Sequence, residues 1–404
     1  MASTARRIGI QLPLGFSSGL PLWLTGATLT AWLQDAGVDI VAIGAFSLVA
    51  LPYNFKFLWA PFLDRFPVPV LGRRRGWILL MQLALAIALF AMGTIDAGLQ
   101  PGTIAIIAVA VACLSASQDV VIDAYRTDLL ETGERGRGTA LYVTGYRIGM
   151  IAAGAGALVL ADYTSWRVTY WIMAGMLAAS TVATVLAPEP SRTHQPRSLA
   201  DAVVLPLVDF FRRRGALLVL LFVALYKFGD ALAAHFITPF LLDIGFPKAE
   251  IGLMQKFGGM AATILGAYLG GTLADKWGVM RSLILFGILQ AFANVGYIAL
   301  VYVGPSDVGL GLAIFIDYFC TGMGIAAFVA FLMSLCDERY SATQYALLTS
   351  ASSILGRLFG AGGGWLQQRV GWAGFFAFTV VVAIPALLVL LWYRRVAEPA
   401  PPHE

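Results

Sequence analysis

A short polar turn occurs twice in this chain, once in each half, and no other feature constrains the fold as much. Residues 270–281 read GGTLADKWGVMR: small residues close an apolar segment, and Asp275, Lys276 and Arg281 cross a tight turn. A looser copy, LWAPFLDRFPVPVLGRRR at 58–75, stands 211 positions earlier (275 − 64), with Asp64, Arg65 and Arg73 in the matching roles. Each copy joins the second and third apolar segments of its half. The chain therefore reads as two repeats of one bundle, an arrangement typical of secondary transporters. Other positions repeat in the same order: Gly19 with Gly229, Ile43-Gly44 with Ile251-Gly252, and Arg147 with Arg357.

Apolar runs of about 20 residues, enough to cross a hydrocarbon core as helix, recur from end to end. They lie near 10–34, 40–62, 76–96, 102–126, 138–161, 167–187, 215–242, 249–274, 280–303, 309–335, 343–366 and 372–394, and are numbered segments 1–12 below. Only 12% of residues are charged, against about a quarter in soluble proteins. The reading divides the chain into a first six-helix bundle at 1–187, a linker at 188–214 and a second bundle at 215–404. The linker opens with Pro, Ser and Arg; from 199 to 214 apolar residues alternate with Asp201, Asp209 and three arginines, as in a short amphipathic helix on a membrane surface.

The net charge of +4 does not signal nucleic acid. Most Lys and Arg fall before segment 1, in even-to-odd loops or after segment 12, so the positive-inside rule places both termini in the cytoplasm. Segment 1 is too long for a signal-peptide core and is expected to stay as a helix. Cys113, Cys320 and Cys336 sit in or at the end of apolar segments without metal-ligand spacing. No nucleophile elbow, zinc-binding His-Glu-x-x-His or phosphate loop is present. The expectation is neither an enzyme nor a self-contained ATP-driven pump, with no cofactor and a proton gradient as the energy source.

Ionisable groups at membrane depth cost about 2.5 kcal/mol or more each, so they need a reason. Ser115, Gln118, Asp119, Asp123 and Arg126 share one face of segment 4. Asp119 lies about nine residues, or about 13 Å, before the polar exit at Asp128, too deep for a surface residue. Asp123 can serve the same chemistry or pair with Arg126. Arg147 on segment 5 and Lys56 on segment 2 reach similar depths. A carboxylate whose proton is contested between burial and a movable cation is what proton coupling requires; Asp119, Asp123 and Arg147 are the candidates. On segment 7, Lys227 and Asp230 are three residues apart and can pair. Arg357 on segment 11 is placed to meet a substrate carboxylate, and Lys256 and Asp317 complete the intramembrane charges. Tyr146 and Tyr226, each beside a cation, suit sugar stacking. Lys56, Gln118, Tyr146, Tyr226, Lys227, Asp230 and Arg357 thus form the expected substrate-binding set. His235, nearer the outer end, reads as a hydrogen-bonded interfacial residue.

Asp64 and Asp275 are expected to act as gates, each meeting the partly positive N-terminus of a helix, that of segment 11 or 5, and holding the halves together when the cavity opens outward. Segments 5, 8 and 11 are laced with glycine. That spacing serves tight helix packing, or smooth surfaces between halves.

The repeated turn resembles the loop between helices 2 and 3 of the major facilitator superfamily. GFSSGLPL at 15–22, FKFLWAPFLDR at 55–65, GRRRGW at 72–77, SASQDVVIDAY at 115–125, GYRIGM at 145–150, FVAFLMSLC at 328–336 and SATQYALL at 341–348 resemble the AmpG muropeptide permeases. The resemblance implies an all-α membrane protein of the major facilitator fold, with twelve transmembrane helices in two six-helix bundles. It implies proton-coupled import of N-acetylglucosaminyl-1,6-anhydro-N-acetylmuramyl peptides across the bacterial inner membrane, with substrate, protons and membrane lipid as partners. In that family a pair of acids on helix 4 carries the proton and substrate role, here matching Asp119 and Asp123. Some members have extra hydrophobic segments that this chain lacks. Relatives carry acetyl-CoA, so an anion of that kind is an alternative substrate. Drug–proton antiport is another, although it favours isolated acids in a greasier cavity.

Overall fold

The computed structural model describes residues 3–39, 42–43, 46–68, 71–190, 198–337, 339–360 and 362–397. Gly44, linker residues 191–197 and the side chains of His235 and Arg357 lie outside the described residues. Nine helices among the described residues are long and apolar enough to cross a membrane, and they coincide with segments 3–10 and 12. Segment 4, Pro101–Leu129, starts on a proline whose missing N–H costs nothing in a first turn. Segments 6 and 10 start after Ser165 and Ser306, whose hydroxyls accept from Val168 N and Gly309 N.

Segments 1, 2 and 11 depart from the pattern of one long apolar helix each. Segment 1 is two helices, Gln11–Leu24 and Ala27–Asp35. Pro21 cannot donate a backbone hydrogen bond, and the chain leaves helical geometry at Gly26. Segment 2 is a series of short turns, Phe46–Ala50, Leu51–Phe55, Lys56–Leu58 and Ala60–Arg65, with Pro52 and Pro61 starting new turns. Segment 11 is the helix Ser341–Gly360, rich in Ser and Thr. In the run Gly362–Ala397, Gly371 takes φ 70 and ψ 178 and breaks the helix just ahead of segment 12. The helix Leu199–Arg212 forms as expected, with Phe210 buried and Val203, Val204 and Phe211 exposed.

Two compact units result: Met1–Val204 with Cys336–Ala346, and Leu205–Leu335 with Leu347–Glu404. The start of segment 11 thus packs with the first unit. Glycine seams account for the closest helix pairs, and both seams lie inside a unit. In the first, segment 5 lies against segment 1; a Cβ added at Gly145 would overlap the Leu12 carbonyl, and one at Gly15 the Tyr142 carbonyl. In the second, segment 8 lies against segment 10, where Gly266 meets the Phe319 carbonyl and Gly322 that of Thr263. Without a hydrophobic drive between helices in lipid, such close contact supplies the attraction.

Each unit also ties its first helix to its last. Trp166 Nε1 donates to Asp35 Oδ2 at 2.7 Å, and Trp32 packs on Trp166 and Tyr170. In the second unit Trp372 Nε1 donates to Asp243 Oδ2 at 2.6 Å, and Phe240 packs on Trp372 and Phe376. The duplication visible in the turns therefore extends to a bracket that the linear sequence does not advertise.

Candidate functional site

The acidic face of segment 4 is built into the first unit. Asp123 Oδ1 accepts from Arg126 Nη1 at 3.0 Å, one helical turn along the same face, and Asp123 Oδ2 lies 4.0 Å from Lys56 Nζ. Arg126 is itself fixed from segment 5: its guanidinium sits 3.9 Å above the Tyr142 ring and donates to Thr139 Oγ1 at 3.4 Å. A desolvated cation gains appreciably from an aromatic face. The broken geometry of segment 2 delivers Lys56, which stands in the turn Lys56–Leu58. Arg126 and Lys56 are thus cations at Asp123; the Nη1 of Arg147, the expected counter-ion, lies 3.8 Å from Met150 Sδ, one turn further along segment 5.

Asp119 has a different environment. Its Oδ1 is buried without a hydrogen-bond partner, as are Ser18 Oγ, Tyr53 OH and Ser115 Oγ. Buried polar atoms are ordinarily paired; here Ser18 is the hydroxyl that faces Asp119, and Ser115 the one that faces Tyr53. Gln118 Oε1 is likewise buried without a partner. The residue is fully buried, and its amide donates to Ser17 Oγ at 3.5 Å, in a chain running through Gln82 to Thr184. Tyr146 is half-buried, with its ring 6.1 Å from that of Tyr142.

In the second unit Lys227 Nζ and Asp230 Oδ2 pair at 3.1 Å, as their spacing indicates. Lys227 stands at the junction between the helices Ala216–Tyr226 and Phe228–Asp243. Tyr226 stacks on Phe328 and donates to the Leu283 carbonyl, which fixes its ring. These residues line a small cleft with Gln290 and Asn294. Gln290 Nε2 donates to Asp317 Oδ1 at 3.2 Å and to Thr321 Oγ1 at 2.9 Å, and Tyr297 OH donates to Asp317 Oδ2 at 3.0 Å. The sequence reading named Asp317 but missed its partners. Their signal was present: Gln290, Asn294 and Tyr297 are polar positions four and three residues apart on one face of segment 9.

The segment 2–3 turn forms the densest charge cluster. Asp64 and Arg74 are both fully buried. Asp64 Oδ1 accepts from Arg73 and Arg74 at 3.0 and 2.9 Å, while Oδ2 accepts from Thr343 N at 2.8 Å and Thr343 Oγ1 at 2.7 Å. Thr343 lies in the first turn of segment 11, where free N–H groups and the helix dipole favour an anion. Arg74 Nε also holds Asp128 at 2.8 Å, and its Nη2 donates to Ser341 Oγ at 2.7 Å. Arg74, Asp128 and Ser341 were not foreseen as part of this cluster. Asp275, in the equivalent turn, is half-buried in the last turn of Met260–Trp277. Nearby, burial pushes the Glu189 carboxyl up, against the backbone N–H groups of Arg74 and Arg75. In the loop after segment 4, burial also pushes Glu134 up, but the two-pronged grip of Arg7, at 2.9 and 2.6 Å, together with hydrogen bonds from Thr4 and the Glu131 backbone outweighs it and holds that carboxyl below its ordinary range.

Comparison with known proteins agrees with this architecture. The family model of the Major Facilitator Superfamily matches residues 12–361. Anhydromuropeptide permease of Escherichia coli K12 is 47% identical over 396 residues, spanning 97% of this chain and 80% of that protein. Putative transporter AmpG 4 of Rickettsia felis is 35% identical over 393 residues, spanning 95% of each. Among solved structures, the Escherichia coli fucose:proton symporter superposes with a TM-score of 0.71 at 13% identity, covering 99% of this chain and all of that one. The human organic anion transporter MFSD10 superposes with a TM-score of 0.70 at 14% identity, covering 96% of this chain and all of the other. At such identities these two speak to fold alone.

Proposed function

Because this chain belongs to the major facilitator superfamily and, within it, to the AmpG permeases, a family of multi-pass membrane transporters, we propose that it imports anhydromuropeptides across the bacterial inner membrane, driven by proton inflow. The observation that carries the reading is 47% identity to an anhydromuropeptide permease over 97% of the chain. At that extent the match runs through the segments that carry the intramembrane charges as well as through the rest of the helical scaffold.

The chemistry of the site supports it. An anhydromuropeptide is large, hydrophilic and anionic, so it needs cations for its carboxylates and hydrogen-bonding or aromatic surfaces for its sugars. Lys56, Arg147, Lys227 and Arg357 are the cations we assign to that task, with Tyr146, Tyr226 and Asp230 beside them. Gln118, which spends its amide on Ser17, we leave to structure. Asp119 is the proton carrier in this reading. It lies one helical turn from Asp123, whose charge is already compensated by Arg126 and Lys56. Substrate or conformational change that moves Lys56 alters the field at both acids. Both termini face the cytoplasm, and the exposed face of Leu199–Arg212 rests on the inner leaflet, where the exposed Arg212 and Arg214 meet anionic headgroups.

Uptake of labelled anhydromuropeptide into cells lacking their own permease, with this chain supplied, tests the reading. Accumulation should depend on an inward proton gradient and collapse with a protonophore. No uptake by a chain shown to be in the membrane, or gradient-driven extrusion of amphiphilic cations instead, would overturn it.

A further inference from the structure

A second buried acid without an ion pair lies away from segment 4. Asp317 stands ten residues (317 − 307) into segment 10, Asp307–Ser334, which is about 15 Å along the helix. Both of its oxygens are held, and both by neutral groups: the Gln290 amide on Oδ1 and the Tyr297 hydroxyl on Oδ2. Among the described residues no Lys or Arg forms an ion pair with it; Lys227, the cation in its neighbourhood, is bound to Asp230. The other ionisable neighbours are Asp230 and Tyr226 on segment 7, Tyr297 on segment 9, and Tyr318 and Cys320 on its own helix, while Lys256 on the adjoining segment 8 is exposed.

The two donors differ in a way that matters. An amide N–H can only donate, so Gln290 serves Oδ1 in either protonation state, and Thr321 Oγ1 takes its second hydrogen and keeps the amide from flipping. A hydroxyl can turn. Tyr297 donates to the carboxylate and, after rotation about its C–O bond, accepts from the acid. Asp317 therefore keeps both oxygens hydrogen-bonded with or without a proton, and no side chain has to leave. A purely structural carboxylate has no need of a reversible partner and is normally matched to a cation. Gln290 also links the acid to the cleft: its Oε1 is buried without a hydrogen-bond partner, and Gln290 lines the cleft with Lys227, Asp230 and Asn294.

We propose that Asp317 is a second proton-carrying carboxyl of the transport cycle, located in the second unit and reached through the cleft at Lys227 and Asp230. This rests on the proton coupling proposed above. The proton is taken from water on the side where substrate is collected, is held on Oδ2 with the Tyr297 hydroxyl turned to accept, and returns to water on the other side. Only an O–H bond forms and breaks.

The test counts protons. Purified full-length protein in liposomes, given labelled anhydromuropeptide and an internal pH-sensitive dye, yields protons moved per substrate. Asp317→Asn should lower that count by one, whereas Tyr297→Phe should keep the count and shift the pH midpoint of transport. An unchanged count in Asp317→Asn overturns the proposal. Proton movement absent from the unmodified protein removes the coupling reading itself, a distinguishable failure. A second measurement needs no transport: infrared difference spectra between acid and alkaline pH should show a buried carboxyl band that moves in Asp317→Glu. A spectrum identical in the two proteins overturns the proposal even if Asp317→Asn fails to fold.

Discussion

Two aspartates one helical turn apart on segment 4 are chemically identical and differently placed. Asp123 is clamped by Arg126, which is itself pinned to the Tyr142 ring, whereas Asp119 retains an unpartnered oxygen beside other unpaired hydroxyls. Asp119→Asn should abolish gradient-driven accumulation while leaving counterflow of substrate, both measured in the same liposomes; full accumulation would move the proton role to Asp123. The pairing of Asp123 with Arg126 was legible, because a three-residue step puts both on one face. Lys56 was harder to foresee at Asp123, since sequence gives the depth of a side chain but not the neighbour it meets. Outside the membrane, Glu134 offers a pH test. Its pKa is depressed in the folded protein, so its contribution is present above the ordinary glutamate range, about 4.3, and is lost as pH falls through the lower folded value. Glu134→Gln should therefore lower the melting temperature near neutral pH, and the difference from the unmodified protein should vanish in acid.

At the scale of helices, the glycine seams decide which neighbours touch. Gly145→Ala should force segments 1 and 5 apart, because a Cβ there would overlap the Leu12 carbonyl; overpacking of this kind costs about 1–3 kcal/mol. Gly258→Ala is the control, as nothing lies within 4 Å of a Cβ at that position. A thermal melt of both variants, with equal melting temperatures, would refute the seam. Small-residue spacing revealed that segments 5 and 8 pack closely but not against what; the partners are segments 1 and 10. Segments 1 and 2 were harder to foresee as interrupted. Hydropathy sums over a window and passes across Pro21, Gly26, Pro52 and Pro61, while each backbone break depends on a single missing donor or a single unusual dihedral. Those breaks are useful: one of them sets Lys56 opposite Asp123.

Across the whole molecule, the repeat announced itself through two turns, yet the contents of the first turn came from far along the chain. Asp64 binds Thr343 and Arg74 binds Ser341, separations of 279 and 267 residues that no local periodicity encodes. Asp64→Asn removes the charge that Arg73, Arg74 and the segment 11 N-terminus share. Cys336, a few residues before that helix, is a native reporter. Its labelling by an impermeant thiol reagent added to the side bearing this turn should rise severalfold in Asp64→Asn, and an unchanged rate would exclude a gating role for Asp64. The tryptophan brackets lead further. Since Asp35–Trp166 and Asp243–Trp372 each fasten the beginning of a repeat to its last helix, each repeat carries a clasp of its own, and the linker is not what brings its first and last helices together. A protein supplied as two separate polypeptides, broken within 191–197 and produced in the same membrane, should still assemble and transport, and a break made inside one repeat, between segments 3 and 4 or between segments 9 and 10, should not.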